Sequence, residues 1–184
     1  MLKALTAVLV ILVVCAFGSA HARLIVHSGG LVYDTDLNIT WYVNPNYDTH
    51  VYGDYAAWAA GLNVGGVTGW RLPTTPGTTT GITNEGEMGH LFYDELKNPV
   101  VLDGVGQPTG RFDNKGPFTN LHMGFYTSTT HNGYLYYYFS FDDGKQSLAD
   151  INVWYFWIHG LAVHDGKIGS PPVSPAVLGL LLFE

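Results

Sequence analysis

Cysteine is almost missing from this 184-residue chain: the one present, Cys15, lies near its start. Everything after it can carry no internal disulfide, thiolate nucleophile or thiolate metal site. Charge is scarce too, at 12% of residues against about a quarter in an ordinary soluble domain. Only eight residues are Lys or Arg, against fifteen Asp or Glu, for a formal net charge of −7. No basic run exists to track a phosphate backbone, so no nucleic-acid partner is expected. What fills the chain instead is 47% hydrophobic residues, 14% aromatics, 23 glycines and 9 prolines. That composition excludes intrinsic disorder, and the length fits one domain whose surface is built from Tyr, Thr, Asn, Gly and Ser.

The N-terminus has the pattern of a secretory signal. Met1-Leu2-Lys3 is a short positive start, an apolar run follows from Ala4 to Phe17, and Ala20-His21-Ala22 is a small-residue cleavage site. The apolar run falls short of the roughly 20 residues that a spanning helix needs. Cleavage before Arg23 leaves 184 − 22 = 162 residues and, with Lys3 removed, a formal charge of 7 − 15 = −8. Val13-Val14 before Cys15 lacks the small residue of a lipoprotein site. The expected division is therefore a signal peptide at 1–22, a domain at 23–169 and a C-terminal segment at 170–184. The product is expected outside the cell or on its surface.

Along the domain, Leu24 to Val26, Leu31 to Tyr33 and Ile39 to Val43 read as a β-meander. Tyr55 to Leu62 reads as a short helix with Tyr55, Trp58 and Leu62 on one face. A second helix is signed by Asn84 as cap, Glu87 at the capping-box position, and a stripe of Met88, Leu91, Phe92 and Leu96 ending at Asn98-Pro99. Val100 to Asn120 reads as a long ordered loop. Tyr134 to Phe141, the Asp143-Gly144 turn and a return strand from Gln146 to Asp150 form a hairpin. Val153 to Ile158 reads as a strand running on into Leu161 to Val163, closed by Asp165-Gly166. The predicted class is α+β, with two short helices, a mainly antiparallel sheet and long loops.

Several blocks together carry a resemblance. Leu31-Val32-Tyr33-Asp34, Ile39-Thr40-Trp41, Leu62-Asn63-Val64-Gly65-Gly66 and Gly69-Trp70-Arg71-Leu72-Pro73-Thr74 stand in order. Gly89-His90-Leu91-Phe92-Tyr93, the Phe139 to Gly144 hairpin and Trp157 to Gly166 follow them. Over about residues 29 to 166 the chain resembles a bacterial exported domain of unknown function related to the C-terminal domain of collagen-like adhesins. The resemblance implies a C-type-lectin-like fold and a bacterial source. In its own chemistry, the motif Trp70, Arg71, Leu72, Pro73 reads as structural. Trp70 supplies buried area, Arg71 five donors, and Pro73 a stiff turn. Glu87 and Asp94 are the candidate partners of Arg71.

Known site chemistries are then excluded one by one. Lectins of this fold hold calcium through Glu-Pro-Asn or Gln-Pro-Asp with a later Trp-Asn-Asp; Gln107-Pro108-Thr109 lacks the acid and no Trp-Asn-Asp follows. Asp34, Asp36 and Asn38 have EF-hand spacing, but Ile39 replaces the required Gly and Pro45 the bidentate Glu, leaving a turn. Seven histidines follow Ala22, at 27, 50, 90, 122, 131, 159 and 164, and none makes a zinc motif. No nucleophile elbow, phosphate loop or dinucleotide fingerprint is present, and the formylglycine-generating relatives of the fold work through cysteines. No catalytic residue, metal or cofactor is expected, and the chain is not expected to be an enzyme.

Two surface features remain. Tyr126, Tyr134, Tyr136 and Tyr138 either form an aromatic platform for a glycan or cell-surface ligand, or belong to an ordinary sheet with one face in the core. At the C-terminus, Ser170 to Pro175 is a stiff spacer, followed by an apolar end that includes Val173, Val177, Leu178, Leu180, Leu181, Leu182 and Phe183. Many members of the family carry a Pro-Glu-Pro-type sorting tail here; this tail matches only in having prolines before apolar residues, and is too short to span a membrane. An apolar end of this kind has to be buried, in its own domain or in a second copy, so self-association is the expected partnership. Asn38-Ile39-Thr40 is an N-glycosylation sequence, which makes Asn38 a candidate carrier of a glycan.

Overall fold

The computed structural model describes residues 23–47, 52–118, 120–153, 155 and 157–168. The expected signal peptide and all seven apolar positions of the tail lie outside these residues. Ten strands form: β1 (Leu24–His27), β2 (Leu31–Asp34), β3 (Ile39–Asn46), β4 (Gly81–Ile82), β5 (Val100–Leu102), β6 (Pro108–Gly110), β7 (Gly124–Thr130), β8 (Leu135–Ser140), β9 (Lys145–Asp150) and β10 (Ile158–Asp165). Helix α1 spans Tyr52–Gly61; α2 spans Gly86–His90 and runs on as a π-helical turn over Leu91–Glu95.

Eight strands make one sheet in the order β1-β2-β3-β10-β7-β8-β9-β4. All neighbours are antiparallel except β10 and β7, which run parallel at the centre. The class is α+β with two short helices and a mainly antiparallel sheet. Alternation along the strands feeds two cores. Val32, Trp41, Phe125, Phe139, Leu161 and Val163 enter the first, against Met88, Leu91, Phe92 and Leu96 of the α2 segment. Leu31, Tyr126, Ile158 and Ala162 enter the second, against Tyr55 and Ala59 of α1. Among the described residues, no helix is long and apolar enough to cross a membrane.

Three local expectations are corrected. The α2 stripe is buried as expected, but its cap is Glu85, with no side-chain cap bond; Asn84 Nδ2 donates instead to Asp94 Oδ2 at 3.0 Å. The cause is crowding, because Gly86 has φ +77° and a Cβ there would lie 2.7 Å from Thr75 Cβ, so the chain enters the helix in a conformation that suits glycine. The 100–120 loop contains the β5–β6 pair. Asp103 Oδ1 accepts the amides of Val105 and Gln107 and builds the turn between the two strands. Finally, the last strand does not begin at Val153. Asp150 Oδ1 accepts the Asn152 amide in a turn, and among the described residues strand structure resumes at Ile158.

β10 carries His159, 3% exposed. Its ring meets Tyr47 edge-on at 4.8 Å and Nε2 lies 3.4 Å from Met123 Sδ, while Nδ1 has no hydrogen-bond partner among the described residues. Burial, with the nearby His122, pushes the His159 imidazole down to about 4. The unfolded chain binds this proton near pH 6.5, where the folded chain refuses it. Stability from this group is therefore complete above about 6.5 and falls as the pH drops toward 4. Urea unfolding at pH 7 and pH 5 is expected to differ by about 2 kcal/mol, and His159→Phe to flatten that difference.

Candidate functional site

The most connected polar group of the fold lies where the Trp70 to Thr74 segment passes between β10 and α2. Arg71 and Val163 exchange both backbone hydrogen bonds, at 2.9 and 2.8 Å, which fixes the segment against β10. The Arg71 guanidinium then forks onto Glu87, with Nη1 to Oε2 at 2.9 Å and Nη2 to Oε1 at 2.7 Å. Glu87 Oε2 also accepts the Thr74 amide at 2.7 Å, and the Glu87 amide returns to the Thr74 carbonyl at 3.0 Å. On its outer side Arg71 holds Asp165 Oδ1 at 2.5 Å. Glu87, followed by Asp165, raises the Arg71 pKa further above its ordinary value, and Arg71 holds the Asp165 carboxyl below the usual range. Of the two partners considered for Arg71, the structure selects Glu87.

The rest of the motif is structural in its contacts. Trp70 is 2% exposed, its Nε1 donates to the Val67 carbonyl, and its ring lies against Tyr42 and His164. Leu72 is buried in the second core. The Pro73 carbonyl accepts the Ser128 amide at 2.7 Å, tying the segment to β7.

Beside this clamp an open cleft of about 430 Å³ runs between the 74–76 segment, the start of α2 and the β2–β3 turn. Leu37, Thr74, Thr75, Asn84 and His90 are among its walls. Behind His90 lie two carboxylates. Asp34 is 0% exposed; its Oδ1 accepts the amides of Asp36 and Leu37, and its Oδ2 the Trp41 indole at 3.4 Å. The Glu95 side chain is 2% exposed. His90 Nδ1 stands 3.2 Å from Asp94 Oδ2 and Nε2 3.5 Å from Glu95 Oε1. Burial raises the Glu95 carboxyl, as does the charge of Asp34, with His90 offsetting part of it. Asp34, His90 and Glu95 offer ligand atoms that all lie within 4.8 Å of one another. Among the described residues they are the group that could hold a metal ion. The sequence places Asp34 in a turn and His90 in one block of the resemblance, with no zinc motif around it, and does not single out Glu95. The one readable signal was the i, i+4 spacing of His90 and Asp94.

The four tyrosines do not make an exposed platform, and the reason is that the sheet is covered on both faces. Tyr126 is 1% exposed inside the second core, 6.2 Å from the Tyr55 ring. Tyr138, its cross-strand partner, packs on Trp157 at 5.1 Å, and Tyr136 is half-buried on the same face. Tyr134 alone of the four is exposed, at 68%, in the turn before β8. Asn38 sits exposed at the tip of the β2–β3 turn with φ +52° and accepts the Tyr33 hydroxyl at 2.8 Å. Thr40 of the same sequence is buried and donates to the Gly166 carbonyl. No family model matches the chain, and no curated protein or solved structure matches it.

The clamp makes a two-sided prediction. Glu87→Ala leaves the half-buried Arg71 fork and the Thr74 amide without their acceptor and is expected to cost about 2–3 kcal/mol. Asp165, whose side chain is 77% exposed, is expected to cost less than about 1 kcal/mol on change to alanine, because water screens that pair. Chemical denaturation of the two variants measures the contrast.

Proposed function

We propose that the chain is an exported, non-enzymatic structural or adhesion subunit of C-type-lectin-like fold that associates with copies of itself through the apolar segment from Val173 to Phe183. The observation that carries this reading is the edge of the sheet. Among the described residues nothing pairs with the outer side of β1, the run Leu-Ile-Val-His, which holds no Lys, Glu or Pro and leaves Val26 65% exposed. Proteins ordinarily guard such an edge with charge, proline or a bulge. An apolar segment from a neighbour, added as a further strand, covers it and gives the tail the burial that it needs. Expected cleavage before Arg23 makes β1 the first strand of the mature chain, one residue from its new terminus. Repetition of the same head-to-tail contact builds open filaments wherever the rotation does not close.

The non-enzymatic part rests on the missing catalytic motifs and the lack of a thiol. The bacterial, extracellular setting rests on the N-terminal segment and on the resemblance to exported adhesin-related domains. A second reading, a monomeric lectin-like module for a glycan or another surface ligand, is favoured by the cleft walled by Thr74, Thr75, Asn84 and His90, and not by the four tyrosines.

Light scattering after size-exclusion chromatography tests the main reading on the mature chain. The full chain is expected to run as oligomers, and both the chain ending at residue 169 and the Val26→Lys variant as monomers. A monomeric full chain overturns self-association, whereas loss on truncation with no effect of Val26→Lys overturns the edge as its acceptor. Retention of a sugar on a glycan array by that monomer moves the assignment to the cleft.

A further inference from the structure

We propose that Asp34, His90 and Glu95 form a binding site for one divalent transition-metal cation, Zn²⁺ in the first instance, at the inner end of the cleft. The site goes beyond the assembly reading and does not depend on it. It begins with an excess of acceptors. His90 Nε2 and Glu95 Oε1 face each other at 3.5 Å, both fully buried, yet neither has a hydrogen-bond partner among the described residues. Asp94 Oδ2, 3.2 Å from Nδ1, draws the ring proton to that nitrogen and leaves the lone pair on Nε2. Asp94 is itself held by the Asn84 amide group at 3.0 Å. A carboxylate on the far nitrogen is the arrangement that orients a histidine toward a metal.

The second, independent observation is the Glu95 side chain. It is 2% exposed, its Oε1 makes no hydrogen bond among the described residues, and its ligand oxygen lies within 4.8 Å of those of the other two groups, with His90 Nε2 at 3.5 Å its ion-pair contact there. A buried carboxylate that faces a nitrogen lone pair and a second carboxylate is strongly unfavourable without a cation between them. Among the described residues no Lys or Arg lies in ion-pair reach of Asp34 or Glu95. Asp36 adds further negative potential at Glu95. The group that resolves this is a cation. Two bonds of about 2.1 Å at a tetrahedral angle set their ligand atoms about 3.4 Å apart, and the observed separation of Nε2 and Oε1 is 3.5 Å. One imidazole and two carboxylates are a zinc-type donor set. They supply three ligands, which leaves a fourth position for water in a tetrahedral set, and His90 is also in the wall of the cleft.

The π-helical turn is what assembles the site. In an α-helix residues five apart point about 140° away from each other, whereas here the widened turn, marked by the Leu96 amide on the Leu91 carbonyl at 2.9 Å, brings Glu95 under His90.

Calorimetric titration of chelator-treated mature full chain with ZnCl₂, and separately with MnCl₂ and CaCl₂, tests the proposal, with thermal melting beside it. Zn²⁺ is expected to bind at one per chain and to raise the melting temperature. Glu95→Gln and His90→Gln are expected to weaken that binding by a hundredfold or more, and Asp94→Asn, a positioning residue, by tenfold or more. In the metal-free state Glu95→Gln is expected to melt no lower than the parent, because it removes an uncompensated buried charge. If instead it melts lower and neither protein takes up Zn²⁺ or Mn²⁺, Glu95 serves as the partner of a charged His90 and the site is overturned. Uptake that survives both Glu95→Gln and His90→Gln overturns it too, placing the metal on other histidines. Should His90→Gln fail to fold, the visible spectrum of the Co²⁺-loaded parent and Glu95→Gln proteins decides: tetrahedral bands lost in the variant support the site, and identical spectra overturn it.

Discussion

One carboxylate organises the middle of this molecule. Glu87 receives the two arms of Arg71 and the backbone of Thr74, so a strand of the sheet, a connecting segment and the first turn of a helix meet at a single side chain. Arg71 reaches back through its own backbone to Val163 in the central strand. In a chain with so few charges, this exchange of charge-assisted hydrogen bonds does what disulfides do in small secreted domains: it ties together segments distant in sequence without relying on side-chain bulk. The cleft and the buried acidic group both lie beside this tie, and their walls inherit its rigidity.

Burial of the sheet on both faces explains the composition. Tyr126, Tyr136 and Tyr138 face one core while Phe125, Phe139 and Phe141 face the other. Among the described residues two short helices lie against the eight-stranded sheet, and large rings fill the remaining space on both of its faces. The aromatic content that reads as a recognition surface is for the most part packing material.

How far the chain could be read in advance depended on the range of each signal. The strands from Leu135 and Lys145 follow from alternation and from Asp143-Gly144, whose glycine takes φ +65°. The apolar stripe of α2 follows from residue type and spacing, which also narrow the partner of Arg71 to Glu87 or Asp94, and the fold chooses Glu87. What stayed hidden is non-local or breaks the period. Nothing in Ile158 to Asp165 announces that it enters between β3 and β7, or that it runs parallel to one of them. Helical periodicity of 3.6 places Glu95 away from His90, so a π turn conceals their meeting. Asp34, fifty-six positions before His90, joins them only through tertiary structure. The tyrosines stayed open between a platform and an ordinary sheet face for a related reason: alternation tells which residues share a face, and not whether another layer covers it.

The central place of β10 sets the order in which the sheet can close. The strand that separates β3 from β7 is the last in sequence among the described residues, and Thr40 meets Gly166 across 126 positions. Loop-closure entropy makes such a pairing slow. Until it happens, a nascent chain emerging amino end first exposes two unsatisfied strand borders in its interior. The residues that fill the gap arrive just ahead of Ser170 to Phe183. Closure of the sheet thus waits for almost the whole described chain, and until β10 docks neither half of the sheet has its inner border paired.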